Sequence, residues 1–231
     1  MSIAENIAQV RTNIAQACAQ AGRSPEEITL VGASKMNDAA ACREAIAAGI
    51  DALGENRVQE MTAKLADNAY DGAPLHFIGH LQRNKVKQVV GKVALIQSVG
   101  SMELLEEIEK VAAREQLVQD ILLEVNIGRE EAKSGFDPDA VTAAAEAALS
   151  LPHVRVRGLM TIPPADADRD ANMRYFQEVQ ALYVDINTKL FHNELKYLSM
   201  GMSGDYEDAI RTGATMVRVG TAIFGARNYN I

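Results

Sequence analysis

A lysine closes the apolar run "ITLVGASK" at residues 28–35. Lys35 stands where a buried strand would leave the core, and a helix-like segment follows almost at once. A lysine in that place usually does no more than reach into solvent. Where water is partly excluded, desolvation lowers an amine's pKa from about 10.4 and makes the free amine available for attack on a carbonyl. A second group of residues lies far along the chain. Gly201 and Gly204 bracket Ser203 just before "DYEDAIRTG", and Arg218, Gly220 and Thr221 follow on the next apolar run. Backbone N–H groups at a helix start, two hydroxyls and nearby glycines suit a phosphate dianion. An amine facing a phosphate site across a cavity predicts a Schiff base with an aldehyde that carries a phosphate.

These residues must be carried by elements that bring them together. Candidate strands are "ITLVGAS" (28–34), "ALGEN" (52–56), "LHFIG" (75–79), "ALIQSV" (94–99), "DILLEVN" (120–126), "VRGLMTI" (156–162), "YLSMG" (197–201) and "MVRVGTAIF" (216–224). The segments between them read as helices. Asp137-Pro138 predicts an N-cap with proline at the first helical position, and Ser101 caps "MELLEEIEK", with Glu103 early in that helix. Two segments sharing the pattern A-I-x-x-G stop at Gly49 and Gly213, as helices ending on glycine do. Strand–helix alternation predicts an α/β fold, a (β/α)8 TIM barrel, and the chain is close to a minimal barrel of about 250 residues. A doubly wound open sheet is the alternative, but "GASKMN" is not the glycine fingerprint it would need after strand 1. No linker-like stretch divides residues 1–231, so one domain is expected, with residues 1–22 as an N-terminal helix packed on the barrel. In a barrel, functional groups stand at the C-terminal ends of strands. Those ends are Lys35, Glu55, Asn56, Gly79, His80, Asn126, the "MGMSGD" loop and Arg218.

Composition removes several partners. The 23 basic against 31 acidic residues leave a formal charge of −8, and "RNKVK" (83–87) is the compact basic cluster, so nucleic acid is not expected as a partner. No apolar run approaches about 18 residues, so no membrane span is expected. Cys18 and Cys42 form no C-x-x-C pair, and the N-terminus lacks a signal-peptide core, which together predict a cytoplasmic protein with reduced cysteines. His76 and His80 sit at a strand end, where four-residue spacing does not converge as on a helix, so no metal site is expected. Lys133 in "KSGF" reads as a solvated loop lysine rather than a second covalent site. Met200 and Met202 read as packing residues, and residues 169–190 as a barrel-wall helix.

The ordered series "SK" (34–35), "GENRVQE" (54–60), "HFIGHLQRNK" (76–85), "VNIGREEAKSGF" (125–136), "GLMTIPP" (158–164), "SMGMSGDYEDAI" (199–210) and "VRVGTAIFGARNY" (217–229) resembles the pyridoxal phosphate homeostasis proteins. That family is close to the N-terminal barrel of alanine racemase. The resemblance covers about residues 28–229 and implies pyridoxal 5′-phosphate as cofactor. It implies that Lys35 forms the Schiff base, that Ser203, Gly220 and Thr221 hold the phosphate, that Arg218 faces the pyridine nitrogen, and that Asn56 lies near the cofactor. Asp38, Leu53, Arg57 and Leu75 depart from the usual proline, phenylalanine, tyrosine and tryptophan. The function implied is intracellular cofactor homeostasis, in which the protein holds and supplies the cofactor, with PLP-dependent apo-enzymes as recipients and no efficient turnover. The alternative is an amino-acid racemase; a cofactor-free aldolase would leave Arg218 unexplained. In alanine racemase a tyrosine from the partner's β-domain supplies the second acid/base group. This sequence ends at Ile231, directly after its eighth strand, so a non-racemising monomer is expected, with Asn126, His80 and Tyr229 as possible substitutes for the missing base.

Overall fold

Parallel strands wrapped by helices are buried on both faces, and their sequences read as short apolar runs rather than strict alternation. A computed structural model describes residues 1–225. The strands are β1 (Thr29–Ala33), β2 (Ala52–Glu55), β3 (Leu75–Phe77), β4 (Leu95–Val99), β5 (Gln119–Val125), β6 (Val154–Thr161), β7 (Tyr197–Ser199) and β8 (Met216–Val219). They pair in chain order, all parallel, and β8 closes onto β1. The helices are α1 (Ile3–Gln20), α2 (Ala39–Ala47), α3 (Val58–Ala66), α4 (Met102–Arg114), α5 (Val141–Ala148), α6 (Arg169–Leu190), α7 (Tyr206–Arg211) and α8 (Thr221–Phe224). This is the expected (β/α)8 barrel. Ser101 caps α4 by accepting the Leu104 N–H, and α6 has the expected bounds. Glycines 49 and 213 follow α2 and α7 in left-handed conformation, as a helix stop requires.

Three local expectations change. The eighth strand does not run to Phe224. It ends at Val219, and the Ser203 hydroxyl then accepts the N–H groups of Gly220 and Ala222, which starts the helical turn α8. Helix α5 begins at Val141 rather than Pro138, because Asp137 is spent on a separate turn. Its carboxylate accepts the Asp139 N–H, and its carbonyl those of Ala140 and Val141. Between β3 and β4 the chain makes a 3₁₀ turn, Arg83–Gln88, instead of an α-helix. Buried Val86 and Val89 are three residues apart, the spacing that 3₁₀ geometry stacks on one side.

The pleat divides the strand residues into two apolar layers. Val31, Ala52, Leu95, Leu122, Met160 and Met216 form one cluster inside the barrel, flanked by Tyr197. Leu30, Leu53, Phe77, Ile96, Leu123, Leu159, Leu198 and Val217 belong to the larger layer between strands and helices. Two residues beyond an inward residue the chain points inward again. That rule turns Gln97, Glu124, Ser199 and Arg218 toward the barrel axis and Glu55 toward the helices. Helix α1 packs on α2, α7 and α8, and Asn6 donates to the Ile223 carbonyl at 2.8 Å. Among the described residues no helix is long and apolar enough to cross a membrane.

The strand ends around the site approach closely at Gly79. A Cβ there would lie 2.2 Å from the Asn56 carbonyl oxygen. Gly79→Ala is therefore expected to lower stability by about 1–3 kcal/mol, the range for forced overpacking. It should appear as a lower urea midpoint at unchanged m-value. An unchanged midpoint would show that the β2 and β3 ends separate without cost.

Candidate functional site

Lys35 follows β1 and Ser34, and by position it continues the odd-numbered row Thr29, Val31, Ala33. It is half-buried, and its carbonyl accepts the Asn37 side-chain amide at 3.0 Å. The backbone on both sides of it is tied to the β2–α3 unit. On one side, Ser34 Oγ donates to Glu55 Oε1 at 2.7 Å, and Lys64 Nζ donates to the Ser34 carbonyl at 2.9 Å. Lys64 also donates to Glu55 Oε1 at 2.5 Å, and the Tyr70 hydroxyl to the same oxygen at 3.1 Å. On the other side, Met36 takes a left-handed φ of 61°, unusual for a side chain of its size, and its N–H donates to Glu60 Oε2 at 2.9 Å. Glu55 is fully buried, so its charge depends on this shell of donors. Burial, and then the Glu55 charge, push the Tyr70 phenol far above its ordinary range.

The barrel mouth holds a cavity of ≈ 610 Å³, lined among others by Asn56, Ile78, Gly79, Glu124, Asn126 and Lys133. Asn56 Oδ1 is buried and has no hydrogen-bond partner. Burial raises the Glu124 carboxyl, while a Ser134 hydroxyl and the charges of Arg218 and His80 act against that rise. Arg218 is 3% exposed. Its Nη1 donates to Ser199 Oγ at 2.5 Å and its Nη2 to the Thr161 carbonyl at 2.8 Å. Burial pulls its pKa down to about 10, opposed by Asp205 and Glu124, so it remains a cation at neutral pH.

Ser203 joins the β7–α7 loop to the start of α8. Its hydroxyl accepts from Gly220 at 3.1 Å and Ala222 at 3.3 Å. Thr221 is exposed at the start of α8, and the Cβ position of Gly204 faces open space. Strand β8 pairs with β1, and a Cβ on Gly220 would lie 3.5 Å from the Ala33 side chain. The Ser203–Gly220–Thr221 group therefore stands beside the strand of Lys35, not across the mouth from it as the sequence suggested.

Other candidates take different places. Lys133 lines the mouth cavity and pairs with Glu130 at 2.5 Å. Asn126 is engaged on both sides of its amide with the backbone of Glu130. His80 is exposed at the mouth, whereas His76 is buried inside the barrel. Tyr229 lies outside the described residues. Met200 is buried, as a packing residue would be, whereas Met202 is 39% exposed. Asp38 caps α2, Leu53 and Leu75 are core residues, and Arg57 is exposed beside Glu60, so none of the four divergent positions is among the residues lining the mouth cavity. Sequence reasoning passed over Glu124, Gln97 and Ser199. Each is a polar residue at an inward position of an otherwise apolar strand, and that parity was the available signal.

The sequence matches the family model for the N-terminal domain of alanine racemase over residues 6–228. It is 42% identical to the pyridoxal phosphate homeostasis protein of Aquifex aeolicus, covering 99% of this chain and 100% of that one. It is 41% identical to the protein of that name from Pseudomonas aeruginosa, covering 99% and 97%. The chain belongs to the pyridoxal phosphate homeostasis protein family. A solved structure of PipY from Synechococcus elongatus, with PLP bound, superposes with a TM-score of 0.84 at 33% identity, covering 97% of this chain and 100% of that one. Alanine racemase of Clostridium difficile shares the fold, with a TM-score of 0.73 at 17% identity, covering 99% of this chain and 58% of that one.

The residues present fit a pyridoxal phosphate. The mouth cavity can take a pyridine ring, Asn56 Oδ1 lacks a partner there, Arg218 supplies a buried cation, and Gly204, next to Ser203, faces open space. Removing one member of a buried ion pair strands the other charge. Lys64→Met is expected to cost about 3–5 kcal/mol, with Glu55→Gln/Lys64→Met recovering part of the loss in urea unfolding. A double variant no more stable than Lys64→Met would show that the Glu55 charge is not what the lysine compensates.

Proposed function

We propose that this protein holds pyridoxal 5′-phosphate through Lys35 and hands it on, acting in intracellular cofactor homeostasis without efficient turnover. The observation that carries the reading is the clamped Ser34–Lys35–Met36 segment, which stands beside the Ser203–Gly220–Thr221 group and close to a roomy mouth. When bound, the cofactor would supply an aldehyde with which the Lys35 amine would form a Schiff base with loss of water; transfer to a recipient's lysine would release the Lys35 amine again. The chain's own residues do the rest. The β2–α3 contacts fix the backbone that carries Lys35, so little orientation is lost on binding. Ser203, the Thr221 N–H and the Thr221 hydroxyl bind the phosphate, and Gly220, whose N–H is held by Ser203, lets the backbone approach it closely. Asn56 bonds the ring's substituents, and Arg218 faces the ring nitrogen.

Arg218 also sets the reactivity. A permanent cation there disfavours protonation of the ring nitrogen, which leaves the ring a weaker electron sink than one paired with a carboxylate. Racemisation also needs a second acid/base group on the opposite face. Among the described residues, Glu124, His80 and Lys133 are the titratable groups lining the mouth that such a reading would have to draw on; Ser134 already donates to Glu124, and Lys133 pairs with Glu130.

Two measurements test the reading. Ser203→Ala should weaken pyridoxal phosphate binding by about tenfold or more, since charge-assisted hydrogen bonds are worth about 1.5–3 kcal/mol. Pyridoxal without the phosphate should bind wild type much more weakly, and equal affinities would remove the phosphate site. In a panel of L-amino acids, Cα deuterium exchange should be slow at most. A kcat on the order of 1–1000 per second, abolished by Glu124→Gln or by His80→Gln, would establish a racemase instead.

A further inference from the structure

A barrel interior is normally filled with apolar layers. Here a line of polar side chains passes through the apolar cluster, from Arg218 near the mouth to His76 at the opposite end. Arg218 Nη1 lies 2.5 Å from Ser199 Oγ, Ser199 Oγ 2.7 Å from Gln97 Oε1, and Gln97 Nε2 3.0 Å from His76 Nδ1. Ser199 and Gln97 are fully buried, Arg218 is 3% exposed and His76 6%.

The direction of each bond follows from the first. A guanidinium can only donate, so Ser199 Oγ accepts from Arg218 and its own hydrogen is left for Gln97. Gln97 takes up that hydrogen when it turns its carbonyl to Ser199, which leaves its NH2 for His76. A second observation supports that orientation. Gln97 Nε2 also lies 3.1 Å from Met216 Sδ, a weak acceptor that would repel an amide oxygen. With an amide donor facing it, His76 Nδ1 has to accept, so the ring proton sits on Nε2 and the ring is neutral. The far side of His76 opens on a cavity at the N-terminal end of the barrel, lined also by Thr29, Ala52, Tyr197 and the charged Arg11, Glu26 and Asp51. Arg11 and Asp51 pair at 2.8 Å. On the barrel side the charged groups of the inward layer are Arg218 and Glu124.

We propose that Ser199, Gln97 and His76 are positioning residues forming a one-way hydrogen-bond spine that fixes the Arg218 guanidinium, with His76 locked as its Nε2–H tautomer. None of the three is assigned to the cofactor. The spine acts through Arg218, so its effect on binding rests on the proposed reading of that residue as the ring-nitrogen partner. Burial agrees with a neutral ring, since it pulls the His76 pKa down to about 4.

The tautomer is read without ligand, by long-range ¹H–¹⁵N correlation of the His76 imidazole in the full-length protein. Wild type should show a neutral ring protonated at Nε2 from pH 5.5 to 8. Gln97→Glu is nearly isosteric but presents an oxygen to Nδ1. It should move the proton to Nδ1 and raise the His76 pKa by at least one pH unit, because an opposite charge favours the protonated ring. A wild-type ring protonated at Nδ1, or a His76 unaffected by Gln97→Glu, would overturn the spine. Its positioning effect is read by pyridoxal phosphate titration. Gln97→Leu should weaken binding about tenfold, in the direction of Arg218→Leu but less severely. Wild-type affinity in Gln97→Leu beside a loss in Arg218→Leu would refute the positioning role. Wild-type affinity in Arg218→Leu would instead refute the reading of Arg218, and the tautomer result distinguishes that failure from a failure of the spine.

Discussion

A parallel strand inside a helix-wrapped barrel has no wet face, so a polar side chain on either side must bring its partners with it. Two polar clusters among the described residues are two answers to that constraint. Outside the barrel, Oε1 of Glu55 on β2 is matched by Ser34, Lys64 and Tyr70, while its Oε2 is buried without a partner. Inside it, Arg218 on β8 is matched by Ser199 and the Thr161 carbonyl, and Ser199 by Gln97. The outer cluster holds the backbone that presents Lys35. The inner one holds a cation beneath the mouth. Apolar residues of similar size would fill the same space at less desolvation cost. Their placement at the root of the proposed cofactor site accounts for that expense.

The same constraint explains why the site divides its labour between neighbouring strands. Strands β1 and β8 are hydrogen-bonded, so Lys35 and Gly220 leave the barrel side by side. Ser203 then reaches from the β7–α7 loop to the start of α8, which brings the third strand end to the same place. The mouth cavity itself is lined from the other half of the barrel, from Asn56 and Gly79 to Glu124 and Asn126. A short bound molecule with an aldehyde, a ring nitrogen and a phosphate presents its three handles in a comparable division.

Much of this architecture was legible in the sequence. The strands and helices announce themselves by period and by punctuation such as Ser101 and Gly213, because those signals are local. Lys35, Asn56 and Arg218 could be singled out because barrel strands end at the functional face. The short helix α8 was hidden, since "GTAIF" continues an apolar run and only Ser203, far back in the chain, turns it. The Glu55–Lys64 pair and the spine were hidden for a related reason. Ser199 and Gln97 are 102 residues apart, and their partnership exists only once the barrel has closed. Inward parity marks Gln97 and Glu124 as unusual, but parity alone names no partner.

Covalent capture by Lys35 is the central claim, and trapping the bond tests it most directly. The purified protein would be loaded with pyridoxal phosphate, reduced with borohydride and mapped by peptide mass spectrometry. The account predicts one pyridoxyl-modified peptide, the one that contains Lys35, and loss of the visible absorption band on reduction. Modification at Lys133 or Lys64 with Lys35 untouched would contradict it.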